Sequence, residues 1–206
     1  MSPITHLLAS WVVAAKTTDS VRDMRLVTLA DLLPDLDGAG IILDLMRDSS
    51  LKAGAYYYEQ YHHWLLHGMA GGLVLAFILA CFARARWRVF LWALVVFHLH
   101  LICDLAGSRG DGPGDIWPIY YLGPFTQRHL VFTWACQWKL DGWQNKIISV
   151  TLLFVCLWMA AKLGCSVVGV FCQKLDQAIV PILQKWATTL GMGKAAPPSG
   201  QTEKSD

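Results

Sequence analysis

The sequence lacks several features that would indicate familiar classes of soluble protein. Only 16% of its 206 residues are charged and the formal net charge is +2, so no basic field indicates a nucleic-acid partner. The six cysteines include no Cys-x-x-Cys pair, which predicts neither a disulfide framework nor a cysteine metal site. No Gly-x-Ser-x-Gly motif is present, so nothing indicates a serine nucleophile of the α/β-hydrolase type.

Apolar residues are abundant instead. Hydrophobic residues make up 55% of the chain and the mean hydropathy is +0.41, whereas soluble domains contain about 45–50% apolar residues. Ten tryptophans add to this bias, because indole rings favour membrane interfaces. The apolar residues 4–15 carry His6 and follow no basic segment, so they do not predict a cleaved signal peptide. We therefore expect an integral membrane protein that inserts through internal segments.

Three apolar segments are candidates for membrane helices: residues 68–83, 87–103 and 147–171. The first two flank a short basic turn, residues 84–88, and so predict an antiparallel helical hairpin. The first segment makes only about 24 Å of helix and spans a bilayer only if residues 64–67 continue it. A short amphipathic helix over residues 21–33 precedes the hairpin and ends at Pro34.

These elements predict one membrane-embedded domain over residues 1–172, followed by an amphipathic and then disordered tail over residues 173–206. The tail is rich in glycine, lysine, proline and serine from residue 191 onward, a composition typical of disorder. The predicted fold class is all-α: a multi-pass helical membrane protein whose hairpin carries a His/Asp cluster at one end.

The cluster begins with ionisable residues inside an apolar segment. His100 and Asp104 are four residues apart and therefore share one helix face, as a bidentate metal-binding pair would require. His98 points about 200° away from His100 and cannot join the same site. The alternative for His100 is a core histidine that bonds to a neighbouring helix.

Three more histidines, His62, His63 and His67, lie just before the first apolar segment. In a helix His63 and His67 would share a face, whereas His62 and His67 would converge only if the helix begins after His62. The alternative is a solvated cluster at the membrane interface. Folding the hairpin about Arg86, however, places position 67 opposite position 105. His67 and Asp104 then lie at the same end, with His100 one turn deeper.

Two further elements complete the candidate set. Asp35 and Asp37 follow Pro34 in a predicted loop, where two carboxylates can bridge or clamp cations; the alternative is helix termination with solvated side chains. His6 lies alone in an N-terminal amphipathic segment.

The ordered motifs resemble one known family. Thr5-His6, Leu33-Pro34-Asp35-Leu36-Asp37, His62…His67, His100…Asp104 and Trp117-Pro118 resemble, in this order, the motifs of the YdjM-type membrane-bound metal-dependent hydrolases. The resemblance covers roughly residues 1–120. His63 stands where that family usually has arginine, Leu66 where it often has threonine, and the glycine-rich segment from Gly107 is longer than usual.

The resemblance implies a ligand set, a cofactor and a location. The implied metal ligands are His6, Asp35, Asp37, His62, His67, His100 and Asp104. Within this set we expect Asp37, His67 and Asp104 to serve catalysis. Imidazoles and carboxylates without thiolates suit one or two divalent ions, Zn²⁺ foremost with Mn²⁺ or Fe²⁺ as alternatives. The implied location is the bacterial inner membrane, in contact with the lipid bilayer.

The implied activity is hydrolysis of a phosphoester or lipid-linked substrate by metal-activated water, so the expected partner besides lipid is an amphiphilic, phosphate-bearing molecule. Arg109 could clamp a phosphate or simply face solvent. The alternative function is non-enzymatic: a membrane metal- or haem-binding protein for transport or electron transfer, with His67 and His100 as axial ligands. A purely structural partner stapled by a metal is a third possibility.

The orientation in the membrane stays open at this level. The basic turn at residues 84–88 favours a cytoplasmic location for that end, with the site outside. Five basic residues before the hairpin oppose this reading: Lys16, Arg22, Arg25, Arg47 and Lys52.

Overall fold

The computed structural model describes residues 1–49, 56–62, 66–112, 114–126 and 128–191. Its helices are α1 Pro3–Thr17, α2 Val21–Leu32, α3 Gly40–Arg47, α4 Tyr56–Tyr61, α5 Met69–Cys81, α6 Arg86–Gly107, α7 Trp143–Leu163 and α8 Gln173–Thr189. Two 3-10 helices, Pro34–Ala39 and Val167–Val170, follow α2 and α7. Strands β1 Ile119–Tyr120 and β2 Val131–Phe132 form a small antiparallel pair, with Ile119 opposite Phe132.

Helices α1 and α2 form an antiparallel hairpin, and a serine caps the N-terminus of each helix. The Ser2 hydroxyl accepts the Thr5 N–H at the start of α1, and the Ser20 hydroxyl accepts the Asp23 N–H at the start of α2. Such N-caps satisfy amide groups that would otherwise lack partners. The facing sides bury Trp11 and Val27 completely. Apolar burial therefore holds this hairpin against the rest of the core.

Helices α5 and α6 form the second hairpin, as predicted. Their backbones approach closely at Gly72, where a Cβ atom would lie 2.5 Å from the Phe97 ring. The Asp23 carboxylate accepts the N–H groups of Arg84 and Ala85 in the turn between them. Asp23 thus joins the two hairpins at the turn end of the second one.

Contacts between elements define two ends of the helical bundle. At one end, here called the basic end, the α1–α2 turn meets the α5–α6 turn, and Asp19 pairs with Arg88. At the other end, called the site end, Asn145 of α7 donates to the Gly107 carbonyl at the end of α6. Helices α5, α6 and α7 each run between the two ends, so the bundle is built from long antiparallel helices.

The fold class is confirmed: the described residues are mostly helical, with one two-residue strand pair added. Helices α6 and α7 are long and apolar enough to cross a membrane, and α5 is a shorter apolar helix. The predicted span 147–171 is wrong at both ends, because the helix covers Trp143–Leu163 and stops at Gly164 in the left-handed conformation, with φ 73°. Residues 66–68 are not helical, so they do not continue α5 toward the site.

The segment after residue 172 begins as an amphipathic helix. Helix α8 buries Val180 beside the core and exposes Leu175 and Trp186. The predicted disorder of the tail concerns residues 192–206, which lie outside the described residues.

Candidate metal centre

Eight ionisable side chains from five parts of the chain meet at the site end. They are His6 from α1; Asp31 from α2; Asp35 and Asp37 from the 3-10 helix; His62 and His67 from the segment between α4 and α5; and His100 and Asp104 from α6. Six of them are buried, and Asp35 and His62 are partly exposed. All seven residues expected as ligands therefore lie together, and one acidic residue joins them.

Local structure explains how the carboxylates reach the centre. Pro34 cannot donate a backbone hydrogen bond, and the chain leaves α2 there and tightens into the 3-10 helix. Asp35 and Asp37 therefore project from an ordered helical turn, whereas the sequence predicted a loop. On α6, the four-residue spacing places His100 and Asp104 on one buried face, as predicted.

Four donor atoms form the centre of the cluster: Asp35 Oδ1, His67 Nε2, His100 Nε2 and Asp104 Oδ2. His67 Nε2 lies 3.1 Å from His100 Nε2, 3.7 Å from Asp35 Oδ1 and 3.8 Å from Asp104 Oδ2. His100 Nε2 lies 3.5 Å from Asp35 Oδ1 and 3.0 Å from Asp104 Oδ2. A tetrahedral ion with bonds of about 2.0–2.2 Å would place its ligand atoms about 3.3–3.6 Å apart. The arrangement can hold a single divalent ion.

Asp37 has a different environment. Its Oδ2 lies 2.9 Å from His67 Nδ1 and its Oδ1 lies 2.8 Å from His62 Nδ1, so one carboxylate accepts from two imidazole rings. The Leu66 N–H also donates to Asp37 at 3.1 Å. These are ordinary hydrogen-bond distances. His62 and His67 follow α4 and precede α5, so His67 does not extend the hairpin helix as a full membrane span would have required. His63 lies outside the described residues.

Sequence reasoning missed Asp31, which is completely buried. Its Oδ2 lies 3.8 Å from His6 Nδ1 and its Oδ1 lies 4.0 Å from His100 Nδ1. Neither oxygen has a hydrogen-bond partner among the described residues. A signal was available in the spacing: Asp31 lies seven residues after Met24 and four after Val27, on the stripe that α2 buries in the core.

His6 lies beside the four central donors and forms, with Asp31 and His100, a second buried group that could hold a metal ion. Its ring stacks on His100 with centroids 4.0 Å apart, and its Nε2 lies 3.1 Å from Asp104 Oδ1. That oxygen also accepts from the Ser108 hydroxyl and from the backbone nitrogen of Met1. His6 thus contacts Oδ1 of Asp104, whereas His67 and His100 lie nearer Oδ2.

Two side chains considered from the sequence lie outside the cluster. His98 bonds through Nδ1 to the Leu94 carbonyl and through Nε2 to the Tyr121 hydroxyl, as its position on the helix predicted. The Arg109 backbone pairs with Trp138 and Leu140.

The carboxylates and histidines shift one another's protonation. Burial opposes the charge on His67, yet the Asp35 and Asp37 carboxylates outweigh it and raise the pKa of His67 to about 9. Burial likewise opposes the charge on Asp37, but bonds from His62 and His67 hold the pKa of Asp37 well below its usual value. In the absence of a metal ion, Asp37 and His67 therefore form a charged pair at neutral pH.

A pocket of about 300 Å³ gives access to the cluster. Its lining comprises Met1, Ser2, Pro3, Asp35, Gly38, Tyr58, His62, Asp104, Ser108, Trp117 and Leu140. A larger cleft of about 690 Å³ shares Tyr58, His62 and Trp117 with it. The buried Gln137, also missed from the sequence, accepts the Trp117 N–H and donates to the Asp104 carbonyl, which fixes Trp117 beside the end of α6.

A family model described as "YdjM inner membrane protein" matches residues 1–170. The chain belongs to the YdjM inner membrane protein family. The match extends past the motifs near residue 120 and includes α7, the second candidate membrane span. No curated protein and no solved structure matches the chain.

Membership in the YdjM family locates the chain in the inner membrane and agrees with its two candidate transmembrane helices. The matched residues 1–170 contain all eight side chains of the buried His/Asp cluster. The chain is thus an inner membrane protein of the YdjM family with a buried His/Asp cluster that could bind metal ions.

Proposed function

We propose that this protein is a membrane-bound metal-dependent hydrolase whose divalent ion is held by Asp35, His67, His100 and Asp104. The observation that carries the proposal is the set of donor distances, 3.0–3.8 Å, between four side chains from three separate elements. A buried cluster held only by hydrogen bonds can be satisfied by pairs of side chains. A metal ion instead requires several ligand atoms around one position, as the four atoms here provide. Two imidazole nitrogens and two carboxylate oxygens suit Zn²⁺, with Mn²⁺ or Fe²⁺ as alternatives.

A divalent ion held by such a set supplies an activated water, with a pKa lowered toward about 7, and polarises a phosphoryl or carbonyl oxygen. The chain itself supplies orientation. Asp37 bonds to Nδ1 of His67, which fixes the ring with Nε2 toward the centre. Carboxylates that hold metal-binding histidines in this way are common in metalloenzymes. We therefore assign Asp37 a positioning role, in place of the ligand and catalytic roles expected from the sequence.

His62 is the best placed residue for proton transfer to or from a substrate. Its Nδ1 bonds to Asp37 at 2.8 Å, and its ring lines both the pocket and the adjoining cleft. A histidine held by a carboxylate and facing a substrate cavity meets the geometric requirement for general acid–base catalysis. Asp37 would then orient two rings, one at the metal and one at the substrate.

The pocket lining supports an amphiphilic substrate with a phosphoester. Apolar groups from Pro3, Trp117 and Leu140 lie beside the hydroxyls of Tyr58 and Ser108. Four aspartates surround the centre, so an anionic substrate would approach only when a cation offsets their charge. This makes metal loading a condition for binding as well as for chemistry.

The geometry argues against the haem alternative. Two axial histidines need about 4 Å between their nitrogens to place iron between them, with bonds of about 2.0 Å on each side. His67 Nε2 and His100 Nε2 are only 3.1 Å apart. The two rings can bind one ion as adjacent ligands, but they are too close together to bind iron from opposite faces of a porphyrin.

The test compares two histidines of one helix. Detergent-purified protein should carry a first-row divalent ion, show no Soret absorbance and hydrolyse a phosphodiester such as bis-p-nitrophenyl phosphate or a phospholipid. His100→Ala should lose the metal and the turnover, whereas the matched control His98→Ala should retain both. Metal retained in full by His100→Ala would contradict the proposed centre. Metal lost without any turnover in the unmodified protein would contradict the hydrolase assignment alone.

A further inference from the structure

Basic residues concentrate at the end of the bundle remote from the metal centre. Seven lie at the ends of α1 and α7, at the start of α2 or in and after the α5–α6 turn: Lys16, Arg22, Arg25, Arg84, Arg86, Arg88 and Lys162. Contacts confirm their common location, because Asp19 pairs with Arg88 and Arg25 donates to the Gly169 carbonyl after α7. Among the described residues of this end the acidic ones are Asp19, Asp23 and, at the start of α8 beside Ser166, Asp176, which Lys174 accompanies. This end therefore has a strong positive excess.

The site end has the opposite balance. Among the side chains that the structure describes, nine acidic residues lie there: Asp31, Asp35, Asp37, Asp44, Asp48, Asp104, Asp111, Asp115 and Asp141. Five basic residues accompany them: Arg47, Arg109, Arg128, Lys139 and Lys146. Between the two ends, α5 carries no charged residue, and the charged residues of α6 and α7 lie in their terminal turns. The charge asymmetry thus runs along the axis of the candidate membrane spans.

The fold also removes the conflict that the sequence left open. Of the five basic residues before the second hairpin, Lys16, Arg22 and Arg25 lie at the basic end, because α1 and α2 turn there. Arg47 belongs to α3 at the site end, and Lys52 lies outside the described residues. Three of the five residues that opposed a cytoplasmic location for the basic turn therefore lie at the same end of the bundle as that turn and support the same orientation.

In inner membrane proteins, lysine and arginine near the ends of spanning helices stay on the cytoplasmic side, while acidic residues contribute little to orientation. Anionic headgroups of the cytoplasmic leaflet attract such basic segments. We propose that the basic end faces the cytoplasm and that the metal centre opens on the periplasmic face of the membrane. The orientation does not depend on the proposed function. Combined with that function, it assigns the substrate as a phosphoester that reaches the site from the periplasm or from the outer leaflet of the inner membrane.

Two exposed aspartates provide reporters at opposite ends. The side chain of Asp111 at the site end is 98% exposed, and that of Asp19 at the basic end is 85% exposed. Each would be replaced by cysteine in a full-length background in which the exposed Cys81, Cys136 and Cys172 are serine. Intact spheroplasts would then be treated with a membrane-impermeant maleimide, before and after permeabilisation.

We expect Asp111→Cys to react in intact spheroplasts and Asp19→Cys to react only after permeabilisation. The background without either substitution controls for the remaining cysteines, and reaction of both reporters after permeabilisation controls for accessibility. Reaction of Asp19→Cys alone in intact spheroplasts would show the opposite orientation. Equal reaction of both reporters would show that the protein inserts in both orientations. Either result would overturn the proposal.

If either substitution prevents accumulation of the protein, the native Cys136 and Cys172, restored one at a time, replace the reporters. Cys136 precedes Gln137 at the site end and Cys172 precedes α8 near the basic end, and both are exposed. The expected pattern is the same, with Cys136 reactive from outside. Because labelling requires no turnover, its outcome is independent of whether the protein is a hydrolase.

Discussion

The Nδ1 atom of His67 lies 2.9 Å from Oδ2 of Asp37, and the opposite nitrogen of the same ring lies 3.1 Å from His100 Nε2. One imidazole thus connects an orienting carboxylate to the proposed metal position. The bond also selects the tautomer, because a proton on Nδ1 leaves Nε2 with its lone pair for a metal ion. The chemistry of the centre therefore depends on a residue that does not reach the centre itself.

Asp37→Asn should weaken metal binding by about 10–100-fold, the usual loss when a carboxylate that orients a ligand is replaced. A competition titration with a coloured chelator would measure the affinity. Asp44→Asn is the matched control, since Asp44 is also buried but accepts the N–H groups of Tyr57 and Tyr58 at the start of α4. An affinity unchanged in Asp37→Asn would show that His67 is held by other contacts.

Asp31→Asn should also reduce metal affinity, by about 10-fold or more, because the carboxylate faces Nδ1 of His6 and His100. The control lies on the same helix: Asp23→Asn loses bonds to Arg84 and Ala85 at the basic end. That change should lower the free energy of unfolding by about 1–3 kcal/mol without changing metal affinity. Equal effects of the two substitutions on metal affinity would refute a specific role for Asp31.

The metal-free protein should lose stability on both sides of a window between about pH 4 and 6.5. The folded pKa of His67, about 9, exceeds its usual 6.5, so its stabilisation is complete below pH 6.5 and is lost as the pH rises through 9. The folded pKa of Asp37 lies well below 3.8, so its stabilisation is complete above that pH and is lost on further acidification. For His67 the difference corresponds to about 3 kcal/mol.

Thermal unfolding in detergent with a chelator present would measure this dependence. The unfolding midpoint should fall between pH 6.5 and 9.5 in the unmodified protein. His67→Gln should remove that alkaline decline, because glutamine does not titrate. A midpoint that declines equally in both proteins would assign the effect to another group.

Gly72→Ala should destabilise the α5–α6 hairpin by about 1–3 kcal/mol, because the added methyl group would lie 2.5 Å from the Phe97 ring. Metal stoichiometry should change little, since every ligand is retained. Gly114→Ala is the control, because nothing lies within 4 Å of the position of its Cβ atom. Equal unfolding midpoints in the two variants would show that α5 and α6 can separate at Gly72 at no cost.

The predicted register of the α5–α6 hairpin was sufficient to place the start of α5 opposite the end of α6, and so to bring His67, two residues before α5, close to His100 and Asp104. It failed where the backbone leaves helical geometry. His67 lies in a non-helical segment, and Asp35 and Asp37 lie in a 3-10 helix that Pro34 introduces. The end of α7 was missed for a related reason: apolar residues continue past Gly164, but the left-handed conformation there ends the helix.

Asp31 was missed because an acidic residue in an amphipathic helix ordinarily belongs to its solvated face. Only the spacing from Met24 and Val27 distinguishes it, and that spacing gains meaning once α2 is known to bury this stripe. Orientation was unresolved because the sequence gives the order of basic residues but not the end of the bundle at which each helix turns. Those facts depend on tertiary contacts such as the one between Asp23 and Arg84.

The contact of Asp23 with the α5–α6 turn has a mechanical consequence. It joins the two hairpins at the start of α6, about 27 Å along the helix from Asp104 at a rise of about 1.5 Å per residue. About such a pivot, a relative rotation of only about 5° moves the ligand atoms by about 2 Å, the length of one metal–ligand bond. Because α2 also packs along α6, the close-packed core between Asp23 and the metal position opposes such a rotation and thereby sets how precisely the ligand atoms are held.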